Sequence, residues 1–512
     1  MPYPLIPAAH LRLYPVSAIR AMEQASDNQQ APVSLMERAA AAAMRLVTTL
    51  MPEPGAVLIL AGPGDNGGDA ALLAAMLASA GYSVDICALL SGALSADSQA
   101  SWQRCSHSSA RRIQAEQLTA VHGYFPYQLI IDGLFGIGLS RPVSGLATDL
   151  IRAVNRASEL QRIPVIALDI PSGLSADTGA VVGGTQGIAV RASHTLSFLG
   201  NKPGLHTADA KDYAGHVIID FLEASVSADV RETGVLNCAN TLPAMPKRAG
   251  NSHKGSFGDV LIAGGAAGMS GAVLLAARTA LFSGAGRVYA GMLEAIATDY
   301  LHPELMCRPL QQHVLQKEII VAGPGLGQSD SAATELARLI AANHTTVLDA
   351  DALNLLAKQT PLQSALQQHS AEKILTPHPL EAARLLNWTV AEVQADRIAA
   401  ASELAHRYQS VIILKGAGSV LCQPGNAQYR INTSGNPALA TGGTGDVLAG
   451  LCGALLAQGL TAWDAACLAC WLHGTAADDL CLNGTGPVGL TASELIPAIR
   501  RALNQHIALG QL

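Results

Sequence analysis

The residues best placed to do chemistry lie in TSGNPALATGGTGDVLAG, where Gly442, Gly443, Thr444 and Gly445 precede a single acid, Asp446, and an apolar stretch follows at once. Glycines let a backbone close around an oxyanion, and the free N–H groups of a helix N-terminus favour negative charge. The run reads as an anion hole for a phosphoryl group, with Asp446 within reach of an attacking hydroxyl as general base. A glycine-rich helix cap is the plainer alternative. LKGAGS (414–419) weighs against it, because it adds a second glycine-rich loop and a lysine, Lys415, as a nucleotide site needs.

A second set of acids occupies the first half. AGPGDNGGDA contains GxGxxG, at Gly62, Gly64 and Gly67, between a strand and a helix. Asp85 ends the next strand about where a ribose-binding acid would sit. Asp65 and Asp69, however, fall in the loop that would cradle a pyrophosphate, and two carboxylates there repel it. They better suit a cation, sugar hydroxyls or proton transfer. IIDGLFGIGLSRPVSG adds Asp132 at a strand end and a glycine-rich loop running to Arg141, and ALDIPSGLSADTG adds Asp169 at a strand end and then Ser172. Carboxylates at the C-terminal ends of parallel strands converge on the crevice where α/β folds bind ligands. Helix capping is the alternative for each acid taken singly.

The elements that must hold these residues follow one pattern. AVLILAG (56–62) is a short aliphatic run ending in glycine, a buried parallel strand, and ALLAAMLASAG is a helix stopped by glycine. YSVDICALL, QLIIDGLFG, PVIALDIPSG and HVIIDF repeat the strand signal, which makes a βαβ series and a Rossmann-like three-layer sandwich. Residues 237–256, rich in Pro, Asn, Ser and Gly, read as a linker. DVLIAGG, GRVYAGM, EIIVAGPG, TTVLDADALN, KILTPHPLE and SVIILKGAGS then restart the series as a second α/β domain. The expected domains are 1–236 and 237–512, with different motifs in each.

Bulk properties agree. The chain has 512 residues, 49% hydrophobic and 14% charged, enough to bury large cores. With a net charge of −7 and no basic cluster, nucleic acid and anionic membranes are not expected partners. The nine cysteines are scattered, and the single CxxC, Cys467 and Cys470 in AACLACWLHG, reads as small buried apolar residues in a reducing, cytoplasmic setting. No signal peptide is expected in MPYPLIPAAHLRLYPV, and VLAGLCGALLAQGL reads as a buried helix rather than a membrane span.

GPGDNGGDA, DGLFGIGLSRPVSG, LDIPSGLSADTG and NKPGL, preceded by LYPVSAIRAMEQ and SLMERAA, resemble the NAD(P)H-hydrate epimerase domain over residues 10–225. Asp65 stands where that family usually has Asn, and Ala70 where it has Gly. The resemblance implies a potassium site from Asn66, Asp132 and Ser172, and places Asp169 beside the reacting nicotinamide ring as a catalytic group. It also implies substrate contacts from Asp65, Asn66, Gly67, Gly68 and Asp69, and from Gly136, Ile137, Gly138, Leu139, Ser140, Arg141 and Pro142.

GTGD resembles the anion-hole motif of ribokinase-like small-molecule kinases. SHKGSFGDVLIAGGAAGMSGA, VAGPGLG, VLDADALN, LTPHPLEAARLL and GGTGDVLAG, in that order, resemble the ADP-dependent NAD(P)H-hydrate dehydratase over roughly residues 245–505. This implies a ribokinase-like fold, with Ala272, Gly327, His378 and Asp446 on the hydrate. It further implies Lys415, Gly416, Ala417, Gly418, Ser419 and Gly445 on the nucleotide, ADP as co-substrate and Mg²⁺ with the phosphates. A structural role is the alternative for His378. Asp349 and Asp351 either touch substrate or cap a helix, and His253 and Lys254 stay open. Together the resemblances imply metabolite repair of NADHX and NADPHX by a homo-oligomer. The rival readings are a vitamin-precursor kinase fused to a binding domain, and a non-catalytic sensor.

Overall fold

The computed structural model describes residues 6–27, 33–119, 125–224, 230–294 and 298–509. Two compact units make up the structure: one spans Pro7–Gly234, and the other runs from Val235 onward and also takes in Ile6, so the first domain starts later and ends slightly earlier than the expected 1–236.

In the first unit, helices α1 (Val16–Asp27) and α2 (Leu35–Leu50) precede the sheet. Ser34 and Glu37 fix the start of α2 by a reciprocal capping box, with the Glu37 N–H donating to Ser34 Oγ and the Ser34 N–H to Glu37 Oε2. Strand β1 (Ala56–Ala61) leads into α3 (Asp65–Ser79), β2 (Ser83–Ala88), α4 (Ala96–Ser106) and β3 (Arg111–Ile113). β4 (Leu129–Gly133), α5 (Leu146–Gln161), β5 (Val165–Leu168), β6 (His194–Phe198) and β7 (His216–Asp220) complete it. The spatial order is β3-β2-β1-β4-β5-β6-β7, parallel throughout.

Because side chains alternate along a strand, β1 feeds two cores. Val57, Ile59 and Ala61 pack with Ile19 and Met22 of α1, Val47 of α2 and Leu73 of α3. Leu58 and Leu60 pack with Leu150, Ile151 and Val154 of α5 on the other face. The result is a three-layer sandwich whose strand order reverses between β1 and β4, the point where such sheets open a ligand crevice.

The second unit repeats the logic with β8 (Asp259–Gly264), α6 (Ser270–Phe282), β9 (Arg287–Met292), β10 (Met306–Pro309), β11 (Ile319–Ala322), β12 (Thr346–Leu348) and α7 (Ala350–Lys358). There follow β13 (Lys373–Leu375), α8 (Pro379–Leu386), α9 (Arg397–Tyr408), β14 (Val411–Leu414), β15 (Val420–Cys422), β16 (Tyr429–Asn432), α10 (Thr444–Ala457) and α11 (Ala462–Leu482). The order β16-β15-β14-β13-β12-β11-β8-β9-β10 is parallel from β14 to β10 and antiparallel from β14 to β16.

Helix α10 buries nearly everything after its first turn, as the apolar run from Val447 to Ala457 requires. Gly450 lets it lie directly against the α6 backbone, since a Cβ there would overlap Ala276 O. Cys467 and Cys470 are free thiols buried in α11. Among the described residues no helix is long and apolar enough to cross a membrane.

Candidate functional sites

In the first unit the crevice is a cavity of about 820 Å³. The Gly62–Gly64 turn runs straight into α3, because Gly64 takes the extended N-cap conformation and Asp65 is already helical. This corrects the loop placement expected for Asp65 and Asp69, which lie in the first turns of α3. Asp65 Oδ1 accepts from Ser95 Oγ at 2.6 Å and Ser98 Oγ at 3.3 Å. Asp69 stands half-buried on the cavity wall; burial, then Asp169, Asp65 and Glu23, push its carboxyl well above the usual range.

Beneath the cavity, Asp132 and Ser172 are fully buried and interlocked. The Ser172 N–H donates to Asp132 Oδ2 at 2.8 Å, Ser172 Oγ to Asp132 Oδ1 at 2.7 Å, and the Phe135 N–H to Ser172 Oγ at 2.8 Å. Burial raises Asp132 to about 6 in spite of these bonds. Asn66 is buried with neither amide atom partnered among the described residues. A Cβ on Gly136 would lie 3.4 Å from Asn66 Cβ and 3.2 Å from Asp169 Oδ2, so that glycine leaves the space into which both residues face.

Asp169 follows β5 in a left-handed conformation, φ 65°, its N–H donating to Leu196 O at 2.7 Å. Its Oδ1 lies 2.7 Å from Lys202 Nζ, and Lys202 has no solvent exposure. Lys202 also donates to Ser197 Oγ at 2.7 Å and Phe198 O at 3.0 Å.

The cavity wall takes in Asp65, Asn66, Asp69, Asp169 and the run from Gly136 to Arg141. Gly67, Gly68 and Pro142 are not brought to it. Gly67 backs onto the Gly62 carbonyl, Gly68 onto Met36 and Ser98, and Pro142 packs towards Gly183. Asp85 is a second correction: it sits mid-strand, receiving Arg111 Nε at 2.8 Å and Tyr127 Oη at 2.7 Å, and does not reach the crevice. Sequence reasoning missed Glu23 and Lys202. The signal for Glu23 was its place four residues after buried Ile19 and next to buried Met22, on the inner face of α1.

In the second unit the residues gather at the carboxyl ends of β8 and β11–β14. Asp446 lies in the first turn of α10, whose N-cap Gly443 has φ 90°. A Cβ on Gly445 would stand 3.4 Å from Lys415 Nζ and 3.5 Å from Asp349 Oδ2. Lys415 Nζ donates to Asp349 Oδ1 at 2.7 Å, as does Thr376 Oγ1 at 2.7 Å. Asp349 is therefore a partner of Lys415. It occupies the N-cap position of α7 but makes no side-chain cap bond. Asp351 instead accepts from the Gly327 N–H at 2.9 Å and shapes the VAGPGLG turn. Ala272 borders the same turn through Gly325, where a Cβ would touch it, whereas a Cβ on Gly327 would touch Ala266.

His378 is the N-cap of α8, its Nδ1 accepting from the Glu381 N–H at 3.2 Å while the His378 N–H donates to Glu381 Oε2 at 2.8 Å. The Lys415 N–H bonds Pro377 O, which brings this turn beside the lysine. Burial, then Asp349, raises Asp446 to about 6, with Lys415 pulling the other way. The KGAGS loop rests on Arg397, a buried guanidinium donating to Leu414 O and Lys415 O, both at 3.1 Å. An arginine at the start of an ordinary helix carries no sequence signal for supporting a loop in this way.

A family model described as NAD(P)H-hydrate dehydratase matches residues 260–501, and one described as YjeF-related protein N-terminus matches residues 33–204. A bifunctional NAD(P)H-hydrate repair enzyme of Coxiella burnetii is 37% identical over 96% of this chain and 99% of its own. One of Escherichia coli strain K12 is 35% identical over 92% of this chain and 90% of its own. A Bacillus subtilis ADP/ATP-dependent NAD(P)H-hydrate dehydratase, co-crystallised with ATP/Mg²⁺, aligns at 32% identity over 51% of this chain and 95% of its own, with a TM-score of 0.46.

Proposed function

The chain belongs to the bifunctional NAD(P)H-hydrate repair enzymes, and from that premise we propose that it returns NADHX and NADPHX to NADH and NADPH in two steps. The domain over residues 1–236 interconverts the (R) and (S) epimers at C6. The domain over residues 237–512 dehydrates the (S) epimer at the expense of ADP, giving AMP and phosphate. The observation that carries this reading is the gathering of Asp446, Gly445, Lys415 and Asp349 at one helix N-terminus.

Hydroxide is a poor leaving group, so the C6 hydroxyl must first be made a better one. Asp446 takes the hydroxyl proton as the oxygen attacks the terminal phosphoryl group of ADP. The backbone N–H groups of Gly442 to Gly445 and the Lys415 ammonium receive the charge that develops on the phosphoryl oxygens. Electrons from ring N1 then expel phosphate from C6, and loss of a C5 proton restores the ring double bond. Gly416, Ala417, Gly418 and Ser419 line the nucleotide, and Ala272, Gly327 and His378 hold the hydrate ring.

Among the described residues no three His, Cys, Asp or Glu side chains gather as a metal site. Mg²⁺ is therefore proposed to be held largely by phosphate oxygens and water, a habit of that ion. In the first domain the K⁺ site is proposed to draw its oxygens from the orphaned Asn66 amide, the Asp132 carboxylate and Ser172 Oγ, donors of a kind that suits this ion. When bound, that ion would supply positive charge under the substrate. Asp169 faces the ring, and the residues from Gly136 to Arg141 close over it. A cytoplasmic homo-oligomer is the form we propose, in keeping with nine free cysteines.

The test mixes both epimers of hydrated NADH with the full chain, ADP, Mg²⁺ and K⁺ and follows the return of reduced-nicotinamide absorbance. Near-complete recovery is expected. A stall with one epimer left would remove the epimerase, and no recovery with ADP or ATP would remove the dehydratase.

A further inference from the structure

Inversion at C6 moves protons at two places. The hydroxyl sits on a carbon bonded to N1, so the ring inverts by opening. The O–H proton passes to a base and the oxygen becomes an aldehyde carbonyl. The N1–C6 bonding pair stays on nitrogen, which receives a proton from an acid. Rotation about C5–C6 and the reverse transfers close the ring on the other face. Nothing is oxidised or consumed. The cycle needs two groups that begin in opposite protonation states.

The first cavity offers such a pair on separate elements. Asp169, at the end of β5, has its countercharge in buried Lys202. Glu23, on α1, lines the same cavity, and among the described residues no ion pair or hydrogen bond engages its carboxyl. We propose that Glu23 is the second proton-transfer group of the epimerase, the acid that protonates ring N1 while Asp169 takes the C6 hydroxyl proton. The proposal rests on reading this cavity as the NAD(P)HX site.

The surroundings of Glu23 support the role. Burial, then Asp169, then Asp65, lift its carboxyl to about 7, with Lys202 and Arg20 pulling down. A group poised there exchanges its proton at neutral pH, which is where a catalytic acid works best. The other charged groups facing the cavity are Asp69 on α3, Asp97 on α4 and Arg141 at the loop. On α2, Glu37 is bound to Ser34 and Arg104, and Arg38 donates to Leu222 O. Asp69 is likewise raised, by burial and then by Asp169, Asp65 and Glu23, and is the competing acid that the experiment separates from Glu23.

The experiment uses the full chain with K⁺ and without nucleotide, supplies pure (R)-NADHX, and reads the (S) epimer by chromatography across pH. Glu23→Gln is expected to lower kcat by about 100-fold or more, with KM changed by less than about threefold and the limb near neutral pH lost. Dehydration of the (S) epimer with ADP should be unchanged in the same preparation. A Glu23→Gln variant that keeps kcat within about threefold, or changes KM alone, overturns the proposal. So does an Asp69→Asn variant that abolishes the limb while Glu23→Gln leaves it in place. If the Gln variant fails to fold, Glu23→Asp decides: a displaced limb with residual turnover supports the role, and an unmoved limb at full rate overturns it. A wild-type chain that interconverts no epimers overturns the epimerase reading itself, a separate outcome.

Discussion

Both units pair a lysine with a buried aspartate, and they use the pair differently. Lys202 gives its protons to Asp169, Ser197 and Phe198, all from within the first unit. An ammonium has three protons, so this one is saturated by protein. Lys415 bonds Asp349 and stands beside Gly445 at the mouth of α10. Burial works against its charge, but Asp349, Glu381 and Asp446 raise its pKa. The difference matches the two chemistries. An epimerisation begins and ends with the same charge, so its lysine only has to hold a carboxylate in place. A phosphoryl transfer builds negative charge, so its lysine must face the ligand.

The comparison breaks most sharply at Asp446. Asp446→Asn should lower dehydration by about 10³-fold or more and leave epimer exchange at the wild-type rate. Absorbance recovery from pure (S) epimer and exchange without nucleotide measure the two; a shared loss would mean the units do not act separately. Lys202→Met comes next. It strands Asp169 without its countercharge, at a cost of about 3 kcal/mol and an epimerase loss of about 100-fold. Thermal unfolding and exchange assays should both register it, whereas dehydration at a permissive temperature should not. A variant with normal stability would show that Lys202 is not the anchor described here.

Withdrawing K⁺, or Asn66→Ala, should slow exchange by about tenfold or more without touching dehydration. Equal rates in K⁺ and in tetramethylammonium would remove the ion site. The second unit gives a smaller, signed effect. Asp446 titrates at about 6, so dehydration should rise with pH through that value as the base form appears. Burial is the main cause and Asp349 the next. Asp349→Asn removes a negative neighbour and should move the limb roughly one unit lower. A limb that moves up would reverse the assignment.

How much of this was legible varies with the physics of each residue. Asp132, Asp169 and Asp446 could be read because parallel strands and helix starts are short, sharply bounded runs, and acids there stand out against aliphatic neighbours. Lys202 lies in the quoted NKPGL, but its role depends on where β6 carries it relative to Asp169, 33 positions earlier. Glu23 and Arg397 sit in helices where a charged residue ordinarily faces water, and only the packing turns them inward. Asp65 was misplaced because glycine-rich sequence reads as loop, while Gly64 in an extended cap lets α3 begin one residue later.

Asp85 was misread for a related reason, and it yields the smallest prediction. The GxGxxG spacing led to a ribose-binding acid at the end of the second strand, but β2 continues to Ala88, and Asp85 lies in its middle. There Arg111 donates through two nitrogens and Tyr127 through its hydroxyl. Burial alone would raise Asp85; the bonds to Arg111 and Tyr127 win and lower it. A depressed carboxylate contributes stability above its ordinary range and loses it as pH falls through the lowered value. Because Arg111 is largely exposed, solvent screening keeps the contribution small. Asp85→Asn should therefore cost about 1 kcal/mol, seen as a Tm lowered by a few degrees at neutral pH and by less in acid. The KM for NADHX and NADPHX in exchange assays should not move. A KM that rises with no change in Tm would restore the ribose role and require β2 to present Asp85 to the crevice.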